Sequence, residues 1–353
     1  MKRRERSHIF FFSLLFCWIL SLHLPLTCKA SEALIDVNRL PESLVDDNHS
    51  LHMSGQLKGD LDLEQKNAFD TELSGIQAGT IRWSNSLLQH FAIDQSSQIQ
   101  ALSFNLSRIE RSSLTESSFG NLTLSNSISM ALDFTHLSLD KMNLENTTIT
   151  ASNWTHVAGR VVRTRQSTFS ELTIAGDSIA EWESTNDNWE TATLRQLSLE
   201  NLAFSEAHVG HLVVSEVQNT AKGQWQILAS KIEWLGFDSI RISGLYFDQT
   251  QVFGGQFLNS GLQNLTVSKA IFSSDLINTK ISQAEFRDSS FINVRSIGSS
   301  IDIASFDNVD FRASNLSDLV ITNRVVFHNC RYDRATLLPA LSPEQLNGLK
   351  LIP

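Results

Sequence analysis

Large apolar residues recur at every fifth position along most of this chain, a period that neither an ordinary helix nor a plain strand produces. From Phe104 the series runs through Ile109, Leu114, Phe119, Leu124, Ser129, Phe134, Leu139, Leu144, Ile149 and Trp154, with Ser129 the only small member. Two residues before these stand side chains that are small or apolar, such as Ser107, Ser112, Leu122, Ser127 and Met142. The other three places in each five are largely polar. The rhythm resets and resumes at Phe169, Ile174 and Ile179, then meets the acid- and tryptophan-rich stretch "EWESTNDNWE", which reads as an insertion. It continues from Trp189 to Val214, shifts phase at "QNTAKGQWQI", and runs from Phe237 to Phe272. One residue is dropped before Leu276, and the series then reaches Ile321 with a single miss at Ser296.

In extended chain, residues two apart share a face. A small inward residue, a large inward residue and a turn use five residues for one short side. Four such sides close a coil of about twenty residues, and stacked coils pair their backbones as parallel strands about 4.8 Å apart. In "AEFRDSSFINV", Ala284 and Phe286 therefore face inward on one side, and Ser289 and Phe291 on the next. The fold class expected is all-β, a four-sided parallel β-helix solenoid. No coil can bury its apolar residues alone, so many must stack. About thirteen fit residues 69–337, a rod of about 60 Å. The excess of 21 Phe over 2 Tyr suits a repeated slot inside the bore that a ring without a hydroxyl fills.

The stretches "AEFRD", "ASFDN", "VDFRA" and "SNLSD" resemble the repeat of the pentapeptide-repeat family, approximately A-(D/N)-L-x-x. The resemblance implies a right-handed coil, and "CRYDRATLLP" looks like the way many members finish their repeats. The middle of the chain departs from the pattern, because Asp or Asn rarely precedes the central residue there.

The ends differ in character. Lys2, Arg3, Arg4 and Arg6, the apolar run "IFFFSLLFCWIL" and the small exit residue Ala30 have the layout of a signal peptide over residues 1–30. Retention of that segment as a membrane anchor is the alternative; lipidation of Cys28 is a weaker one, since Pro25 and Thr27 suit it poorly. Residues 31–68 show no steady period and read as a linker and N-terminal cap. Residues 338–353 read as a C-terminal cap, in which Ser342, Pro343, Glu344 and Gln345 spell a capping box and Gly348 stops the short helix.

The 353-residue chain carries a net charge of −10; without residues 1–30, which hold five basic residues and one acid, 23 basic face 37 acidic residues and the charge is −14. Such a chain repels nucleic acid and anionic lipid alike. Cys330 is the only cysteine left, so no internal disulfide forms, and its small inward position makes it a packing residue.

Candidate chemistry is sparse. Glu116, His136 and His156 fall one coil apart on one outward ladder, whose donor types suit zinc or manganese, but rungs in a line do not make a tetrahedron. His208 and His211 form an isolated H-x-x-H with a corner between them. The Trp182–Trp189 stretch, with Asp177, Glu181, Glu183, Asp187 and Glu190, offers aromatics and carboxylates for a sugar or partner contact, although Trp189 keeps the rhythm and reads as core. Seven N-x-S/T sequons begin at Asn48, Asn105, Asn121, Asn146, Asn153, Asn264 and Asn315, as a surface rich in Asn, Ser and Thr would give.

No residue is assigned a catalytic, cofactor-binding or metal role, and no cofactor is expected. The function expected is a non-catalytic exported scaffold, periplasmic or extracellular, presenting a rigid acidic surface to an envelope protein or glycan. No nucleic acid is expected as a partner, and a membrane only if residues 1–30 are retained. From the family resemblance comes the alternative of a DNA-mimic inhibitor of a type II topoisomerase, should the chain stay inside the cell. A polysaccharide-active β-helix enzyme ranks third, because its coils are longer and less regular.

Overall fold

The computed structural model describes residues 35–36, 52–219, 222–322 and 324–353. The signal segment expected over residues 1–30 lies outside them. The described residues form a parallel β-solenoid of about 15 turns. A single column shows its regularity. Leu63, Trp83, Phe104, Leu124, Leu144, Thr164, Ser184, Phe204, Ile227, Phe247, Val267, Phe286, Phe306 and Phe327 are successive register partners. All fourteen are buried along one axis, while Arg287, next to Phe286, points to solvent. The five-residue reading therefore holds at the level of single side chains.

The phase shifts also fall where expected. Register spacing is 20 at Ser198↔Gln218 and 23 at Leu202↔Trp225, so three extra residues fall between them. It is 20 at Val252↔Phe272 and 19 at Gln256↔Asp275, which places the dropped residue at that corner.

Three expectations need correction. The coil begins before residue 69: His52–Lys58 and Leu61–Glu64 pair in parallel with Glu72–Ser84, and Met53, Leu57, Leu61 and Leu63 are buried. The period was hidden there by a register shift between Ser54 and Gly55. Second, nothing resets after Trp154, since Gly159 and Thr164 occupy the next two central places in register. Third, Trp182–Trp189 is not an insertion. Trp182 pairs with Val162 and Leu202 at a spacing of 20, and both tryptophans are buried to 1% exposure. Here bulk has moved to the inward position two residues earlier, so the central place holds only Ser184. The volume inside the bore is kept while its pattern in sequence is inverted.

The inward serines and threonines do more than fit. Ser107, Ser127, Thr147 and Ser167 form a ladder in which a backbone N–H donates to the hydroxyl oxygen one coil on, as Ser107 N does to Ser127 (3.1 Å) and Thr147 N to Ser167 (3.2 Å). Each hydroxyl donates to the carbonyl two residues before it, as Ser127 does to Ser125 (2.8 Å). A buried hydroxyl satisfied on both sides is cheap to keep. Cys330 copies this role, with Sγ 3.3 Å from the His328 carbonyl oxygen and no solvent exposure. Burial pushes its thiol pKa up, as a packing residue requires.

Many corner residues two places past a central one adopt left-handed backbone, with φ near +50° at Leu106, Asn126, Asn146 and Gln166. The C-terminal cap is the expected one. Pro343–Leu346 is a single helical turn with Ser342 and Gln345 forming a reciprocal capping box. Gln345 also donates to the carbonyl oxygens of Thr322 and Val325, both at 3.0 Å. Leu349–Leu351 then adds a parallel strand to Cys330–Tyr332, covering part of the final strand edge.

Candidate functional site

His136 and His156 occupy adjacent corners with φ of +54° and +56°, and their exposed rings stack 4.6 Å apart at 4°. Glu116 stands one rung below, likewise exposed. Because the two ring planes are parallel, their nitrogen lone pairs run side by side and do not converge. Gly176 continues the ladder, and a Cβ there would lie 3.2 Å from His156 Cδ2, so the glycine gives that ring its seat. A shallow groove beside the ladder is lined by Ser96, Gln98, Ser118 and Ser138. Among the described residues, no three His, Cys, Asp or Glu side chains form a metal-holding group.

The acids near Trp182 are separated by the wall of the coil. Glu181 and Glu183 face outward; a shared hydrogen bond raises the pKa of Glu181, while the Arg163 guanidinium lowers that of Glu183. Asp187 faces the opposite way, into the bore. Its carboxylate accepts from the Ser167 N–H (2.7 Å), Ser184 Oγ (2.6 Å) and Thr164 Oγ1, and Ser184 in turn accepts from Trp189 Nε1 (2.9 Å). Asp187 thus takes the next rung of the hydroxyl ladder, and burial raises its pKa above the usual carboxylate value. Asp187 therefore cannot meet Glu181 or Glu183 on one substrate.

His208 and His211 do not act together. His208 is the register partner of Lys231, whereas the His211 ring stacks on Trp234 at 4.3 Å and 3°. Reading the sequence alone missed this pair of an exposed histidine on a half-buried tryptophan, because three added residues set their spacing at 23. Of the sequon asparagines, Asn121, Asn146, Asn153, Asn264 and Asn315 are exposed and Asn105 is half-buried; Asn48 lies outside the described residues. An apolar cavity of about 60 Å³ runs beneath the C-terminal lid among Phe272, Leu276, Phe291 and Phe311.

No protein-family model matches the chain, and no curated protein does. Solved structures similar to it include HetL, a pentapeptide repeat protein involved in heterocyst differentiation regulation from the cyanobacterium Nostoc sp. strain PCC 7120. That match has 12% identity and a TM-score of 0.20, covering 72% of this chain and 92% of that one. QnrB1, a plasmid-mediated fluoroquinolone resistance protein, matches at 12% identity and a TM-score of 0.23, covering 72% and 92%. A mannuronic acid specific polysaccharide family 6 lyase from human gut microbiota matches at 10% and 0.28, covering 91% and 90%. Similarity at this level decides neither family nor activity.

Proposed function

We propose that this chain is a non-catalytic, exported scaffold of the pentapeptide-repeat type, presenting a rigid surface to a protein or glycan partner in the cell envelope. The observation that carries the reading is where the polar side chains go. Many inward ones are spent on ladders of hydroxyls bonded to backbone, and many outward ones on bonds between rungs. Asn146 donates to Asn126, Arg160 pairs with Asp140, and Arg295 pairs with Asp275. Such a surface is stiff and patterned, which suits recognition more than turnover. Export rests on the basic and apolar layout of residues 1–30.

The net charge of −10 favours a second reading, a DNA-mimic inhibitor of a type II topoisomerase. Arginines interleaved with the acids weigh against it: Asp140 faces Arg160, Glu183 faces Arg163 and Asp302 faces Arg324. A duplex mimic needs unbroken lines of negative charge.

Crosslinking in native cells after fractionation, followed by identification of what co-purifies, separates the two. Recovery of the chain in the envelope fraction with an envelope protein or glycan supports the scaffold. Recovery in the cytoplasm with a topoisomerase overturns it.

A further inference from the structure

The His211–Trp234 stack is an aromatic ladder that stops abruptly. Thr191, His211, Trp234 and Gly254 are successive corner residues, as the register on either side of them requires. The indole has His211 against one face. On the rung beyond its other face stands Gly254, which carries no side chain. One rung further the corner itself is a residue short, because the 19-residue spacing arises between Phe272 and Asp275. The edge of the rod therefore carries no side chain one rung past the half-buried Trp234 and is a residue narrower on the rung after that. A second glycine sets the ring in place: a Cβ on Gly236 would lie 2.4 Å from Trp234 Cη2, so only glycine lets the indole lie flat across that strand.

The surroundings of this notch are amphipathic. Phe253, 45% exposed, borders it on the preceding side, with Lys231 Nζ 5.3 Å from the ring centroid and Glu233 paired to that lysine. On the following side, Gln256 and Asp275 are register partners, and Asp275 pairs with Arg295. A flat aromatic face with carboxylates, an amide and cations around its rim fits a ring that is apolar on its face and hydroxylated at its edge. His211 shows that a ring stacks on this indole at 4.3 Å.

We propose that the notch over Trp234 binds a pyranose unit of a neutral glycan, stacked on the indole in the side-chain space that Gly254 leaves unused. A neutral sugar is favoured over a uronate because the chain is acidic overall. The inference deepens the scaffold reading, and rests on it, by naming the ligand class and its place.

Among the described tryptophans, Trp83, Trp154, Trp182, Trp189 and Trp225 are all buried, so the half-buried Trp234 is the one a solute reaches from outside. The test titrates the full chain with neutral tetrasaccharides of glucose, mannose, galactose and N-acetylglucosamine, following fluorescence and heat. At least one is expected to give saturable binding and a fluorescence change that Trp234→Ala abolishes. Gly254→Val places a branched side chain over the indole; a Cβ there lies in van der Waals contact with Trp234 Cδ1 at 3.6 Å and 3.3 Å from the Glu233 carbonyl oxygen, an approach the backbone meets by a shift of a few tenths of an ångström. It should weaken binding about tenfold or more at unchanged melting temperature. Binding that survives Gly254→Val in a folded protein overturns the site. Absence of binding by all four sugars overturns the glycan inference, while the crosslinking experiment still judges the scaffold reading through protein partners.

Discussion

Ser184 donates its hydroxyl proton to the carboxylate of Asp187 across 2.6 Å, inside the bore of the coil. The pair exists because Trp182 took the bulk of that side, leaving room for a small polar residue at the central place. With its folded pKa raised by burial above the value of 3.8 for a free side chain, Asp187 stays protonated in the folded chain at a pH where the unfolded chain has already lost the proton. The folded state then binds more protons, so this residue's contribution to stability falls as pH rises from the unfolded pKa through the folded one. Asp187→Asn keeps an acceptor for Ser167 N–H and supplies an amide donor to the hydroxyls. Thr164 retains the Glu183 carbonyl oxygen at 3.5 Å as an alternative acceptor. The variant should flatten that pH dependence and gain on the order of 1 kcal/mol at neutral pH, read by urea unfolding across pH.

Ile303 holds a left-handed φ of +52° although it is β-branched and 39% exposed. The same ladder carries Gln283 and Asn264 one and two rungs earlier, at +55° and +53°. That backbone costs a branched L-residue roughly 1–2 kcal/mol. Ile303→Asn should therefore stabilise the protein by about 1 kcal/mol, shifting the thermal midpoint up by about 2 °C. A loss of stability would mean that the isoleucine makes packing contacts worth more than its strain.

Zinc is expected to leave the melting temperature unchanged. The stacked rings of His136 and His156 would have to unstack and tilt before both could reach one ion, and Glu116 continues the line without closing it. A rise on titration with zinc, absent in His136→Ala, would show that the rings do reorganise around a metal.

Gln345 closes the capping box and also bonds the last coil through Thr322 and Val325. Gln345→Ala should cost about 1–3 kcal/mol, because buried carbonyls lose their donor. Hydrogen exchange should locate the loosening in residues 325–351, with coils near Phe104 unaffected.

The bore was legible in sequence because extended chain alternates faces and each side contributes one bulky centre, as Phe286, Phe291, Phe306 and Phe311 do at spacings of five. The reading failed where bulk and polarity traded places. Trp182 with Ser184 looked like a loop only because the large residue stood two places early. Left-handed corners at Ile303 or His136 leave no mark, since the stacked backbone imposes them against residue preference. The Trp234 ladder was concealed by arithmetic: three added residues on another side of the coil moved it from a spacing of 20 to 23. Aligning the chain across those three added residues would have put His211 beneath Trp234.

Phe286 stacks on Phe306 with ring centroids 4.4 Å apart and planes 2° from parallel, while its neighbour Arg287 is exposed and pairs with Glu285. Thermal unfolding of Phe286→Asp and Arg287→Ala, measured side by side, tests the inward–outward register most directly. A charge in the bore should abolish cooperative folding or cause aggregation, whereas loss of a surface ion pair should cost less than about 1 kcal/mol. Two variants that melt alike would contradict the solenoid.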